Sequence, residues 1–155
     1  MESASKAIVV DAGNFSVHTR RIKVDDLAVQ RRKVELILDG FVGSSRPLDV
    51  LGIGERDLLM GGEWLLQELN ERELPTVLSN VECSTLQFTK RRSIPFQGVN
   101  VDFVSLVSST MTSTSTIDSQ LGPMSMLGDC TIEEPSEWLR ENLKENRGDI
   151  VVAFA

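Results

Sequence analysis

The sequence predicts an α/β protein, with parallel βαβ units followed by a more antiparallel sheet. Three observations carry that prediction. Short β-branched runs alternate with amphipathic stretches through the first half of the chain. Gly and Pro punctuate the changes of element. After Asn80 the apolar segments follow one another with no helical stretch between them until Pro135. The chain has 155 residues, of which 41% are hydrophobic and 25% charged, which suits one domain, or part of a larger one, with a real core. Its 16 Lys and Arg against 23 Asp and Glu give a net charge of −7, which excludes non-specific binding of a nucleic-acid polymer as the main function. The longest apolar runs, such as Ile150 to Ala155, are far too short to form a membrane span.

The first element is Ala7-Ile8-Val9-Val10, a strand stopped by the loop Asp11-Ala12-Gly13-Asn14. A helix follows from Asp25 or Asp26 to Asp39, with Val24, Leu27, Ala28, Val34, Ile37, Leu38 and Phe41 largely on one face and Gly40 closing it. The cluster Arg31-Arg32-Lys33 lies within it and reads as a solvated face, a phosphate-binding patch being the other possibility. Pro47 to Ile53 is the second strand, ending in the loop Gly54-Glu55-Arg56-Asp57. Gly61-Gly62 opens a helix through Trp64, Leu65, Leu66 and Leu69 to Glu73, Pro75 blocks its continuation, and Thr76 to Ser79 is the third strand. Strands and helices in that alternation form right-handed βαβ crossovers and a parallel sheet.

Beyond Asn80, Leu86-Gln87-Phe88, Ile94-Pro95-Phe96 and Val99 to Val107 read as strands. Gln97-Gly98-Val99-Asn100 supplies a hairpin turn, and the alternation of Val99, Val101 and Phe103 predicts a half-buried, antiparallel segment. Ser108 to Thr116 is Ser or Thr except at Met111 and reads as a loop. Glu133-Glu134-Pro135-Ser136-Glu137 is an acidic helix start, Trp138, Leu139 and Leu143 face inward, and Gly148 ends that helix. Asp149 to Ala155 reads as a buried strand at which the domain looks cut. The two cysteines, Cys83 and Cys130, form no CxxC and are expected as separate small core or surface residues, pairing only if the fold brings them together.

Two polar loops at the ends of neighbouring parallel strands, Asp11 to Asn14 and Gly54 to Asp57, point into one crevice. Their carboxylate and amide oxygens could hold cations, and Arg56 could hold a phosphoryl group. Equally, Asp, Asn and Gly are ordinary turn residues. Gly52-Ile53-Gly54 falls short of a dinucleotide-binding fingerprint, because Asp57 stands where the third glycine belongs.

Taken in order, Val9-Val10-Asp11-Ala12-Gly13-Asn14, Leu48 to Asp57, and Leu74-Pro75-Thr76-Val77-Leu78-Ser79-Asn80 resemble the 5′-nucleotidase branch of the calcineurin-like metallophosphoesterases. That family runs strand-DAGD, then a strand leading to GNHE, then a helix and FPxLSAN. Val99 to Ser109 is similar to a later strand of the family, and Pro135 to Ala155 to its next helix and strand. The resemblance implies a metallophosphoesterase-type α/β/β/α sandwich, with residues 1–155 forming a single partial domain truncated at both ends. It also implies a metal-dependent phosphoester hydrolase acting on a phosphate ester or nucleotide. Two divalent metal ions about 3.5–4 Å apart would clamp the ester and an attacking hydroxide. The family's enzymes commonly work outside the cytoplasm, although no signal peptide is visible at Met1 to Lys6.

Residue by residue, the chain departs from the family. Asn14 stands where the metal-bridging Asp is expected and, as a neutral amide, bridges two cations poorly. Glu55 replaces the ligating Asn and is a competent ligand. Arg56 replaces the His; it can neutralise phosphoryl charge but, with a pKa above about 12, is no general acid near neutrality. Asp57 keeps the acid that would orient its neighbour. The resemblance therefore assigns Asn14 and Glu55 to metal and Arg56 and Asp57 to catalysis. No DxH precedes the first strand, and the only histidine, His18, matches no family ligand. Two expectations follow: a segment of a 5′-nucleotidase-like hydrolase, or a degenerate, non-catalytic binding or structural module.

Overall fold

The computed structural model describes residues 7–16, 23–109, 116–117, 124–125, 129–144 and 148–155. His18 and residues 110–115 of the Ser/Thr tract lie outside the described residues. The elements are β1 (Val10–Asp11), a 3-10 turn (Val24–Asp26), α1 (Leu27–Val42), β2 (Val50–Gly52), α2 (Glu55–Leu58), α3 (Gly62–Glu71), β3 (Thr76–Val77), β4 (Val81–Glu82), β5 (Arg92–Phe96), β6 (Val99–Ser105), β7 (Thr116–Ile117), β8 (Met124–Ser125), β9 (Thr131–Ile132), α4 (Pro135–Asn142) and β10 (Ile150–Phe154).

Period-two alternation builds a four-layer sandwich from two small sheets. The first sheet, ordered β1-β2-β3, is parallel throughout. Its Leu51 and Ile53 face α1 and α3, where they pack with Val34, Leu38, Leu65 and Leu69. Val50 and Val77 point the other way, against Val101 and Phe103 of the second sheet. That sheet is ordered β10-β6-β5, with β10 parallel and β5 antiparallel to β6. On its outer face Val104 and Leu106 receive Trp138 of α4. Helix, sheet, sheet and helix therefore follow one another, as the predicted α/β/β/α class requires. No helix among the described residues is long and apolar enough to cross a membrane.

Gln97 and Gly98 make the two-residue hairpin turn between β5 and β6, both with positive φ (51° and 86°), the backbone that matches strand twist. Helix α4 begins at Pro135, whose missing N–H costs nothing at a first turn.

Several expectations are corrected. Helix α1 runs through Gly40 to Val42, because Phe41 still has the main core to pack against, and Gly43 ends it with an N–H to Asp39 O of 2.9 Å. Arg31 leaves the predicted solvated face: it donates to Met60 O and lies 4.9 Å over the Trp64 ring, while Arg32 and Lys33 stay exposed. Residues 54–57 are no plain loop, since Glu55–Leu58 forms a helical turn. Leu86 to Phe88 joins no ladder, although Phe88 reaches the core. Strand β6 is buried on both faces, lying between α4 and the other sheet. Strand β10 is not buried: it lies at the sheet edge in the described chain, with Ile150 49% exposed. Finally, Cys83 and Cys130 are not separate; they form a disulfide, with Cα atoms 4.0 Å apart.

Candidate functional site

Parallel pairing sets the carboxyl ends of β1 and β2 side by side, Asp11 opposite Leu51. The chain leaves β1 through Gly13 (φ +88°) and Asn14 (φ +61°), a left-handed pair that glycine and asparagine tolerate. Glycine is required at position 13 for a second reason: a Cβ there would stand 2.7 Å from Gly52 O and 2.8 Å from Gly54 N. The β1 loop thus lies directly on the β2 loop.

Asp57 locks the two loops together. It is fully buried and accepts N–H bonds from Asn14 (2.7 Å) and Gly54 (2.9 Å) on Oδ2, and from Ser16 (3.0 Å) on Oδ1. Burial pushes its carboxyl above the ordinary aspartate value, and the amides of Gly54, Asn14 and Ser16 pull it partly back. Asn14 returns the connection, its Oδ1 accepting from Arg56 N at 2.9 Å, while Ser16 Oγ donates to Arg56 O at 2.7 Å. The structure therefore brings Asn14, Glu55, Arg56 and Asp57 together.

They do not all face the same space. A cavity of about 400 Å³ opens where β1, β2, β6 and β10 end, and Asn14, Glu55, Arg56, Ser108, Glu134 and Ala155 are among its lining residues. Its size and its position at strand carboxyl ends are those of a ligand site in an α/β sheet. Asp57 is absent from the lining and sits behind it. Glu55 Oε1 accepts from Ser108 N at 3.2 Å. Among the described residues the Arg56 guanidinium forms no ion pair.

Sequence reasoning missed Glu134 as a wall of this cavity. It was legible only as an acid at a helix start, which it also is: its carboxylate accepts from Ser136 N. Hydrogen bonds from Ser109 Oγ (3.0 Å) and from Ser136 N hold its carboxyl below the usual range. What brings it to the cavity is long-range. Asn80 Nδ2 donates to both Val107 O and Glu133 O at 2.7 Å, and Asn80 Oδ1 accepts from Val107 N.

The donor set does not fit the two metal ions implied by the resemblance. Among the described residues no three His, Cys, Asp or Glu side chains come together. Asn14 Oδ1 already accepts a backbone N–H, and Asp57 accepts three and sits buried behind the cavity. Glu55 remains, with a guanidinium in the next position where a dinuclear site needs further anionic oxygens.

No protein-family model matches the sequence, and no curated protein matches it. Solved structures do match. A putative 5′-nucleotidase from Staphylococcus aureus superposes with a TM-score of 0.71 at 14% identity, over 95% of this chain and 28% of that one. A sulfate thiohydrolase from Thermus thermophilus gives 0.65 at 14% identity, over 95% and 25%. A calcineurin-like phosphoesterase from Bacillus subtilis gives 0.59 at 14% identity, over 96% and 47%. The chain has the fold of the calcineurin-like phosphoesterases and 5′-nucleotidases, as its motif order led us to expect. It spans less than half the length of each of these structures, and identity at this level establishes fold alone.

Proposed function

We propose that this chain carries a binding pocket for the phosphate ester of a small, nucleotide-class molecule, on a phosphoesterase fold whose two-metal chemistry its own residues do not support. One observation carries this reading. Asn14 Oδ1 and the Asp57 carboxylate accept backbone N–H groups, with Asp57 outside the cavity lining, while Arg56 stands on the cavity wall. An arginine there presents a fork of donors that matches phosphoryl oxygens. Glu55 and Glu134 in the same lining repel a bare anion, and so favour a ligand that brings hydroxyl or amino donors beside its phosphoryl group.

Titration calorimetry of the full chain, in chelator, with a nucleoside monophosphate and with inorganic phosphate tests this. The monophosphate is expected to bind more tightly than phosphate, and Arg56→Gln to weaken it at least ~10-fold, the loss of one charge-assisted contact. Binding that needs an added divalent cation, or that ignores Arg56→Gln, would overturn the reading.

The position of the cavity and the fold favour a second reading, a hydrolase of the 5′-nucleotidase type. There Asn14 and Glu55 serve metal, Arg56 neutralises phosphoryl charge and Asp57 positions Arg56. Turnover of a nucleoside monophosphate with Mn²⁺, on the wild type and on Asn14→Asp/Arg56→His, separates the two. Wild-type turnover, or its gain in the double variant, supports the hydrolase; inactivity of both supports the binding module.

A further inference from the structure

The Cys83–Cys130 disulfide sits at the start of the cavity wall, where the backbone ladder is two residues long. Strands β4 and β9 pair over two positions, Val81 with Ile132 and Glu82 with Thr131. The next pair in that antiparallel register is Cys83 opposite Cys130, so the bond continues the ladder as a covalent rung. Two residue pairs form a marginal ladder on their own. Beyond β9 the chain runs at once into the cavity wall. Glu133 N donates to Asn80 O at 2.9 Å, Glu134 lines the cavity, and Trp138 docks α4 on the second sheet. The wall is therefore fastened at the disulfide, at Asn80 and at Trp138. Both cysteines are only half-buried.

We propose that the Cys83–Cys130 disulfide is a redox-sensitive latch on the Glu134 wall: its reduction frees residues 129–138 and opens the cavity, while the parallel sheet β1-β2-β3 stays folded. The chemistry is thiol–disulfide exchange with a dithiol. One thiolate of the dithiol attacks a cysteine sulfur and breaks the S–S bond, leaving a mixed disulfide; its second thiolate expels the cysteine. Two electrons pass to the protein, Cys83 and Cys130 each take a proton, and the dithiol leaves as its own disulfide. The first sheet has its own support in Val34, Leu38, Leu65 and Leu69, a core that includes Val81 of the ladder and against which Ile132 and both cysteines pack. The latch concerns the cavity's wall and holds whatever ligand the cavity takes.

Amide ¹H–¹⁵N spectra of the full chain, without ligand, before and after dithiothreitol, test the latch. Expected is loss of the Val107, Glu133 and Trp138 cross-peaks from their oxidised positions. The Leu51 and Ile53 cross-peaks, whose N–H groups bond Pro75 O and Val77 O, should stay in place. Cys83→Ala/Cys130→Ala should give the reduced spectrum without reductant. Changes confined to the two cysteines and their immediate neighbours would overturn the proposal, because the wall then stands without the bond. Collapse of the whole spectrum would overturn it as well, making the bond a staple of the entire fold.

Discussion

Asp57 joins the two loops beside the cavity by accepting three backbone N–H groups. The resemblance to the phosphoesterases made it, beside Arg56, a candidate for catalysis, and the two residues are joined through Asn14. What spacing did not carry was depth, since burial depends on which loop lies on top. With three backbone N–H groups aimed at it and no exposure, Asp57 holds the two loops in place. Asp57→Asn turns one accepting oxygen into a donor against those amides and is expected to lower unfolding free energy by about 2–4 kcal/mol, measured by urea denaturation. The pH dependence follows from the raised native pKa. The native state holds this proton more tightly than the unfolded chain, whose carboxyl titrates near 3.8. Stability from Asp57 is thus fully present below that pH and is lost as pH rises through the native value. The wild-type advantage over Asp57→Asn should shrink as pH rises across that window. An advantage that grows instead would mean that the three amides outweigh burial.

At the scale of elements, Gly13 is where two loops become one site. Its Cβ would meet the backbone of Gly52 and Gly54 below 3.0 Å, and its φ of +88° strains any L side chain. Gly98 separates the two effects, having φ +86° with nothing within 4 Å of a Cβ. Gly98→Ala is expected to cost about 1 kcal/mol in thermal or urea unfolding, the conformational part alone. Gly13→Ala should cost that and at least ~2 kcal/mol more, because backbone cannot step aside as a side chain can. Equal losses would mean that the loops do not press on each other. The same paired loops show what was legible in the sequence. β-Branched runs and amphipathic stretches marked β1, α1, β2, α3 and β3 in order, because strand and helix periods are local properties. Gln97-Gly98 marked the hairpin for the same reason. The errors came from distant contacts. Phe41 carried α1 past Gly40, a second face of packing buried β6, and Leu86 to Phe88 had the pattern of a strand but no partner to form a ladder with.

For the whole molecule, the cavity depends on a connection that the sequence did not announce. Asn14, Glu55 and Arg56 could be foreseen, since neighbouring parallel strands bring their ends together as a rule of topology. Glu134 could not be, since it arrives through β9, two residues long and paired with β4 some 50 positions earlier in the chain. The disulfide was hidden for the same reason: only the β4–β9 register places Cys83 opposite Cys130, 47 residues away. That separation has a thermodynamic consequence distinct from the local latch. Closing a loop of this length in the unfolded chain removes conformational freedom, which in the chain-entropy treatment is about 4 kcal/mol of stability at 25 °C. Reduction should therefore lower the unfolding free energy by up to that amount in urea titrations at neutral pH. The urea slope should rise as well, because the open chain exposes more surface when it unfolds. With total stabilities of domains this size at about 5–15 kcal/mol, the reduced chain keeps a folded state in which an opened wall can be observed. A reduced chain within about 1 kcal/mol of the oxidised one, at unchanged slope, would mean that the unfolded ensemble already holds the two segments together. The bond would then act on the native cavity wall alone.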